Sequence, residues 1–302
     1  MPQVQPIKKA IIPVAGLGTR MLPAAKAIPK ELLPVIDKPI IQHVVEEAID
    51  AGINEIVLVT RSGKEAIENH FDANFELEAK LKCKGKNSLL TSIKGIIPSH
   101  VQVISLRQPE PLGLGHAILC ANRVIGDHPF AVMLPDVLVM PSRIPGACND
   151  FSTMVKRWLD KGQGQIMVEK VPEDHTHQYG IADIRGIDID IGKTANLAAM
   201  VEKPLKGTAP SRFAAVGRYI LPNRIMQLLR DTKPGTDGEI QLTDALDKLL
   251  KFDSMEAYHM SSAALDCGSK LGYLKANIRM GMSHPELKNE LNSYIRSLVK
   301  ID

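Results

Sequence analysis

The first half of the chain constrains the fold most. Short apolar runs at residues 9–15, 55–60, 101–106 and 130–134 are separated by longer amphipathic segments at 39–51, 64–81 and 115–124. That is a β-α-β-α-β-α-β order, and right-handed crossovers make the resulting sheet parallel, with its strand carboxyl ends aligned on one edge. In open α/β sheets, ligands bind outside those ends. Within 39–51, Ile40, Ile41, Val44, Val45, Ala48 and Ile49 recur at helical spacing, and Gly52 supplies a stop. After a helix expected over 149–161 the pattern changes. Short strands over 165–171, 180–184, 197–202 and 214–221 fit a smaller mixed or antiparallel lobe. Helical spacing returns at 224–229, 240–250, 270–280 and 286–299, and the last two segments are placed to cap the fold or join subunits. Residues 80–94 and 172–178 read as exposed connections.

The first strand runs into Pro13-Val-Ala-Gly-Leu-Gly-Thr-Arg-Met-Leu-Pro23, followed by Lys26, Pro29, Lys30, Glu31 and Pro34. Gly16 and Gly18 can take positive φ and bring backbone N–H groups against phosphate oxygens, while Arg20, Lys26 and Lys30 add charge that amides lack. A dinucleotide-binding turn would carry a third glycine where Met21 stands and enter a helix at once, yet Pro23, Pro29 and Pro34 forbid one continuous helix. A P-loop needs four residues between its glycines and a closing Gly-Lys-Ser/Thr, whereas Thr19-Arg20 follows Gly18. What is left is an irregular, proline-stiffened cationic loop suited to polyphosphate. The competing account is a plain strand-to-loop turn with solvated basic residues.

Composition narrows the partners. The 37 basic and 34 acidic side chains leave a formal charge of +3, too little for a general polyanion-binding surface, so any preference for phosphate is local. Aromatic residues make up 4% of the chain, which offers few stacking platforms and sets nucleic acid aside as a partner. Cys83, Cys120, Cys148 and Cys267 form no C-x-x-C, so neither a zinc site nor a disulfide framework is indicated, and reduced, mostly packed thiols are expected. No apolar run is long enough to cross a bilayer, and residues 11–15 are too short and proline-broken for a signal core. The expected address is therefore the cytoplasm, with no membrane partner.

Asp136 follows the strand at 130–134 and Pro135, which puts a carboxylate at the sheet edge near Gly16 and makes it a reasonable magnesium ligand. Asp266 precedes a helix and, taken by itself, reads as an N-cap. In Met200-Val-Glu-Lys-Pro204, Pro204 ends a strand and fixes two adjacent polar side chains, Glu202 and Lys203. Gln108 carries an amide that can read a pyrimidine edge, and Gly113-Leu-Gly115 is a turn that admits close backbone approach. His116 is assigned to packing or hydrogen bonding, Glu239 and Asp244 to a polar helix face, and His175 with His177 to an exposed loop.

The stretch from Gly16 to Pro23, then Pro29-Lys30, resembles the sugar-nucleotide pyrophosphorylases, whose signature is G-x-G-T-R-x-x-P-x-T followed by a proline-lysine element. Lys26-Ala-Ile-Pro-Lys-Glu-Leu-Leu-Pro34, Gly113-Leu-Gly-His-Ala117, Leu134-Pro-Asp-Val137, Val201-Glu-Lys-Pro204, Glu239-Ile-Gln-Leu-Thr-Asp-Ala245 and Asp266-Cys-Gly268 extend the likeness over nearly the whole chain. Within the family it points to the bacterial members that use UTP and glucose 1-phosphate, and it weakens from about His284 onward. Ala25 departs from the pattern, standing where the family usually has threonine.

The resemblance implies a Rossmann-like α/β nucleotidyltransferase domain over 1–283, with a nucleotide-binding half to about 148, a sugar-binding half from 149, and a C-terminal helix over 284–302. The implied reaction converts UTP and α-D-glucose 1-phosphate to UDP-glucose and pyrophosphate, by in-line attack at the α-phosphorus with Mg²⁺ held by Asp136 and Asp266. Arg20, Lys30, Asp136 and Lys203 take the catalytic roles; Ala15, Gly16, Gly18, Thr19, Arg20, Lys30, Gln108 and Gly113 bind the nucleotide; Gly180, Glu202 and Lys203 bind the sugar phosphate. The family also implies a homo-oligomer, a dimer or tetramer. Two alternatives stand beside this. A thymidylyltransferase would differ only in accepting a base with one more methyl, worth about 1–3 kcal/mol in a pocket. A noncatalytic regulatory relative is opposed by the presence of Thr19, Arg20, Lys30, Asp136, Lys203 and Asp266 together.

Overall fold

Apolar residues on both sides of a strand are stable only where both sides of the sheet are covered, and the arrangement of helices meets that condition here. The computed structural model describes residues 4–142, 146, 148–235 and 238–299. In chain order the first half contains β1 (Lys9–Pro13), the short pair β2 (Pro34–Val35) and β3 (Lys38–Pro39), α1 (Ile40–Asp50), β4 (Glu55–Thr60), α2 (Glu65–Phe71), α3 (Phe75–Cys83), α4 (Asn87–Lys94), β5 (Gln102–Arg107), α5 (Gly113–Cys120), α6 (Asn122–Ile125), β6 (Phe130–Met133) and β7 (Val137–Val139). The second half adds α7 (Asp150–Lys161), β8 (Gly164–Lys170), β9 (Gly180–Asp183), β10 (Thr194–Asn196), β11 (Ala199–Glu202), β12 (Phe213–Leu221), α8 (Ile225–Arg230) and α9 (Leu242–Leu249). It ends with β13 (Met255–His259), β14 (Ala264–Asp266), α10 (Lys270–Ser283) and α11 (Lys288–Val299). The helix expected over 284–302 corresponds to α11; its last positions, 300–302, lie outside the described residues, as do 1–3 of the region expected over 1–283.

β5, β4, β1 and β6 pair in parallel, in that spatial order. β12 then runs antiparallel to both β6 and β8, and β13 lies parallel to β8. β8 and β13 therefore point the same way as the first-half strands, with β12 reversed between them. β10 borders β13, and the β9–β11 ribbon is attached to β12, all antiparallel. The mixed portion expected for the second half is thus an extension of the first sheet, and ten of the described strands belong to it.

The two-residue period sorts side chains to the two faces. Ala10 and Ile12 of β1 pack with Ile56, Leu58, α1 and α7 on one side, while Ile11 packs with Val57, Val59, α5, α8 and α9 on the other. α1 buries Ile40, Ile41, Val44, Val45 and Ala48, and Gly52 follows at φ +88°, which is the predicted stop.

Three expectations are corrected. The amphipathic segment at 64–81 is two helices, because Asn74 caps a new one by accepting the Leu77 N–H at 3.0 Å. The connection expected over 80–94 contains α4, and that over 172–178 contains a 3₁₀ helix, Glu173–Gln178; α4 buries no side chain, so its exposure was readable where its conformation was not. Of the four thiols, all free, only Cys267 is buried, whereas Cys83 and Cys148 are exposed.

α7 opens with Asn149 accepting the Ser152 N–H at 2.6 Å, and its first residue, Asp150, is 1% exposed. The Asp150 carboxylate accepts from Tyr258 Oη and the Ser261 N–H, both at 2.8 Å, from the Ser262 N–H at 2.9 Å, and from the Ser262 hydroxyl. It therefore fixes the turn that leads into β14. Burial acts to raise this carboxyl, but the hydrogen bonds from Ser262, Ser261 and Tyr258 outweigh it and hold it below the usual carboxylate range. A carboxyl depressed in the folded state contributes stability above its unfolded value, roughly pH 4, and loses that contribution as pH falls through the folded value. Asp150→Asn is accordingly expected to cost about 1–3 kcal/mol at neutral pH. Urea unfolding at pH 7 and pH 3 checks this: the gap from the unaltered chain should narrow at the lower pH, and equal gaps would contradict it.

Candidate functional site

β1 ends at Pro13, and the chain continues beside β4 through Val14 N–H donating to Val59 O at 2.8 Å. Gly18 then takes φ +68° and starts a single 3₁₀ turn, Thr19–Met21, whose Met21 is buried and anchors the loop. A Cβ on Gly18 would lie 3.3 Å from the Ala25 methyl and 3.4 Å from the Lys30 stem. The proline-stiffened segment therefore folds back beneath the glycines, and Ala25 serves as packing there. The returning Lys30 donates from Nζ to Asp136 Oδ2 at 2.6 Å, and Arg20 Nη2 lies 3.6 Å from the same oxygen.

Asp136 sits between β6 and β7, and β7 pairs antiparallel with β14 so that Val137 faces Asp266. The Cys267 N–H donates to Asp136 O at 2.7 Å, and the Gly268 N–H to Asp266 Oδ1 at 2.8 Å. A Cβ on Gly268 would lie 2.7 Å from Arg20 Nη2, 2.7 Å from Asp136 Oδ2 and 3.0 Å from Asp266 Oδ1. A basic loop near the amino terminus and two carboxylates far apart in sequence thus converge on one point, where only glycine fits. Asp266 is not the helix cap that its position suggested: Ser269 caps α10, its hydroxyl accepting the Gly272 N–H at 3.2 Å.

Burial would raise the Asp136 carboxyl, yet the Lys30 charge and hydrogen bond, with Arg20 beside them, prevail and hold it below its ordinary value. Asp136 is therefore ionised at neutral pH. The neighbouring Cys267 thiol is pushed up to about 12 by burial and then by the Asp266 and Asp136 charges, so it stays protonated and is no nucleophile. Among the described residues no group of three or more His, Cys, Asp or Glu side chains is arranged to enclose a metal. Two facing carboxylates suit magnesium, which takes few protein ligands and completes its shell with water and phosphate oxygens.

A cleft of about 530 Å³ opens over this cluster, and Ala15, Gly16, Gly18, Thr19, Arg20, Lys30, Gln108, Gly113 and Asp136 all line it. Gln108 donates from Nε2 to Gly113 O at 3.0 Å and contacts His116 Nδ1 at 3.2 Å, which commits its amide nitrogen to the protein. The close approach at the Gly113–Gly115 turn is to the chain itself: Gly115 N–H donates to Ile240 O at 2.8 Å, and a Cβ on Gly113 would lie 2.7 Å from Glu239 Cβ. Glu239 is corrected too. It precedes α9 and lines the cleft, whereas Asp244 does lie in the first turn of that helix.

Gly180 and Glu202 face each other across the β9–β11 ribbon, and a Cβ on Gly180 would come within 3.1 Å of Glu202 Oε2. Lys203 adopts φ +42°, a strained conformation for a residue with a side chain, and its N–H donates to Tyr179 O at 3.0 Å. Its Nζ is 3.8 Å from Glu202 Oε1 and extends largely into solvent. Burial raises the Glu202 carboxyl above its ordinary range; the Lys203 charge opposes this, and those of Asp244 and Glu239 add to it. Tyr179 lies between this group and the Arg20–Asp266 cluster in its electrostatics: its phenol is raised by burial and then by the Asp266 carboxylate, with Arg20 opposing.

Two buried ion pairs, one at the cleft wall and one behind it, escaped the sequence reading. Glu31, directly after Lys30, is 1% exposed and accepts from Lys64 Nζ at 2.6 Å, tying the returning loop to the β4–α2 connection. Nothing in its local sequence distinguishes it from a solvated carboxylate. Arg218 is fully buried and pairs with Glu47 of α1; a cation inside the apolar run of β12 was the available signal.

The model of the Nucleotidyl transferase family matches residues 9–281. The chain belongs to that family. It is 48% identical to the UTP–glucose-1-phosphate uridylyltransferase of Haemophilus influenzae, over 97% of this chain and 99% of the relative, and 49% identical to that of Escherichia coli, over 96% and 95%. Among solved structures, the UTP-bound UGPase from Acinetobacter baumannii is 52% identical and superposes with a TM-score of 0.90, covering 97% of this chain and 99% of the other.

Removing one partner of a buried pair leaves a charge without compensation. Lys64→Met should therefore destabilise the chain by about 3–5 kcal/mol, and Glu31→Gln combined with it should recover most of the loss. Urea denaturation of the single and double variants measures both; equal loss in the two would show that the pair's charge is not the cause.

Proposed function

We propose that the cleft catalyses transfer of a uridylyl group from UTP to glucose 1-phosphate, giving UDP-glucose and pyrophosphate. The carrying observation is the convergence of Arg20, Asp136 and Asp266 on Gly268, with Lys30 on Asp136. Joining two anions requires cancellation of charge and alignment of the sugar phosphate with the α-phosphorus, and the attacking oxygen is already ionised, so no general base is needed. Arg20 and Lys30 hold the triphosphate and stabilise the departing pyrophosphate, with Gly16, Gly18 and Thr19 offering backbone donors. Gln108 and the turn at Gly113 bound the uracil. Glu202 accepts hydrogen bonds from sugar hydroxyls, Gly180 lets the ring approach the backbone, and Lys203 orients the acceptor phosphate. Asp136 and Asp266 would hold Mg²⁺, which when bound would neutralise negative charge on the phosphates.

We read residues 1–148 and 149–283 as the nucleotide and sugar halves, with α11 apart from them. Assembly as a homo-oligomer is supported by Leu271, Leu274 and Ile278 exposed on α10. A cytoplasmic address is supported by four free thiols and by the finding that no helix among the described residues is long and apolar enough to cross a membrane.

The test is pyrophosphate release across a grid of nucleoside triphosphates and sugar 1-phosphates, with and without magnesium. UTP with glucose 1-phosphate should be the best pair and should require the metal; preference for dTTP, or no release, would reject the reading. In the same assay Asp136→Ala is expected to lower turnover about 10²-fold or more while the circular dichroism spectrum is kept. Near-normal turnover by that variant would remove Asp136 from its role.

A further inference from the structure

We infer that Arg218, which lines no part of the cleft, is a positioning residue that fixes Asp136 through the main chain on either side of it, an inference that rests on the uridylyl-transfer reading of the site. Arg218 lies on β12 opposite Met133 of β6 and is 0% exposed. The pairing of β12 with β8 shifts register between Ala215 and Tyr219, and Gly217 inside that irregularity takes φ +78°, with Leu134 filling the place of its Cβ at 2.8 Å. Such bulges re-aim side chains beside active sites.

The guanidinium has five N–H donors in a rigid fork, and all five find acceptors. Nη1 donates to Leu134 O at 3.0 Å and Gly217 O at 3.3 Å. Nη2 donates to Val137 O at 2.7 Å and Glu47 Oε2 at 2.7 Å, while Nε faces both Glu47 oxygens at 3.1 and 3.2 Å. The carbonyls of Leu134 and Val137 bracket Pro135-Asp136, so one planar group templates the turn that carries the carboxylate. The Cys267 N–H holds Asp136 O from the other side. The main chain around Asp136 is therefore pinned at three points, independently of the Lys30 contact to its carboxylate.

A stability role alone does not account for this arrangement, since a buried ion pair is often no better for stability than apolar side chains of equal volume. Planarity and donor count do account for it: a lysine keeps the charge but has three donors on one atom and cannot span both carbonyls and the carboxylate.

The test is Arg218→Lys in the full chain. The comparator is Arg157→Lys, because Arg157 makes a similar contact, 2.7 Å to Glu256, at the β10–β13 edge. Binding of Mn²⁺, the paramagnetic stand-in for magnesium, is titrated by electron paramagnetic resonance with UDP-glucose present, beside thermal unfolding and steady-state kinetics. Arg218→Lys should bind Mn²⁺ about tenfold more weakly and lose about tenfold in kcat, with KM for UTP changed less than about twofold. Arg157→Lys should keep its metal affinity even where its melting temperature falls equally. Unchanged metal affinity and kcat in Arg218→Lys, or an equal loss in Arg157→Lys, would overturn the proposal. If Arg218→Lys does not fold, Glu47→Gln takes its place, with a smaller effect in the same direction; no change in metal affinity there counts against the clamp. UDP-glucose formation by the unaltered chain is scored first. Its absence overturns the uridylyl-transfer reading and the clamp with it, whereas its presence beside an unaffected Arg218→Lys overturns the clamp alone.

Discussion

A carboxylate kept ionised where water is scarce is the constraint from which the rest of this structure follows. Burial by itself would raise the Asp136 carboxyl, and Lys30 at 2.6 Å with Arg20 at 3.6 Å reverses that tendency. Bringing those cations in requires a chain that leaves β1, turns at a left-handed glycine and doubles back under it. The prolines stiffen that path, Met21 and Ala25 pack it, and the Glu31–Lys64 pair holds its far end. The glycines thus have a mechanical purpose: a side chain at Gly18 would press tightly on Ala25 and the stem of Lys30, and one at Gly268 would strike the charged groups themselves.

The cleft belongs to neither half of the chain alone. Its basic loop and Asp136 come from the parallel first-half strands, while Asp266 arrives across the β7–β14 ladder and Glu239 with Ile240 seals the floor beneath the Gly113–Gly115 turn. Asp150, with its hydrogen bonds to Ser261 and Ser262, fixes the path into β14 from behind. Preorganised charge of this kind acts without reorganisation at the moment of reaction, which is what phosphoryl chemistry asks of a protein.

The parallel half of the sheet was legible because its strands are continuous apolar runs between strongly periodic helices, as in Val57 and Val59 against Ile56 and Leu58. Gly16, Gly18, Arg20 and Lys30 were legible because glycine and cation occur together where a strand ends. β7, β10 and β14 were not: each is three residues long and is defined by its partner more than by its own residues. The same holds for Glu239, whose role depends on a contact with residues more than a hundred positions away. Gly115 illustrates a different limit. Sequence marked it as a place of close approach, but only the fold reveals that the approaching group is Ile240.

The reversed strand β12 has a consequence for how such a chain is made. β6 is buried along its whole length and is hydrogen-bonded to β1 on one side and to β12 on the other. During synthesis the first half emerges complete with β1, β4, β5 and β6 while residues 213–221 are still unmade, and for that interval Phe130, Ala131, Val132 and Met133 form a bare apolar edge. An open edge of this kind is a template for pairing with another chain. Residues 213–221 thus act as the late-made cover that turns an open sheet edge into an interior strand.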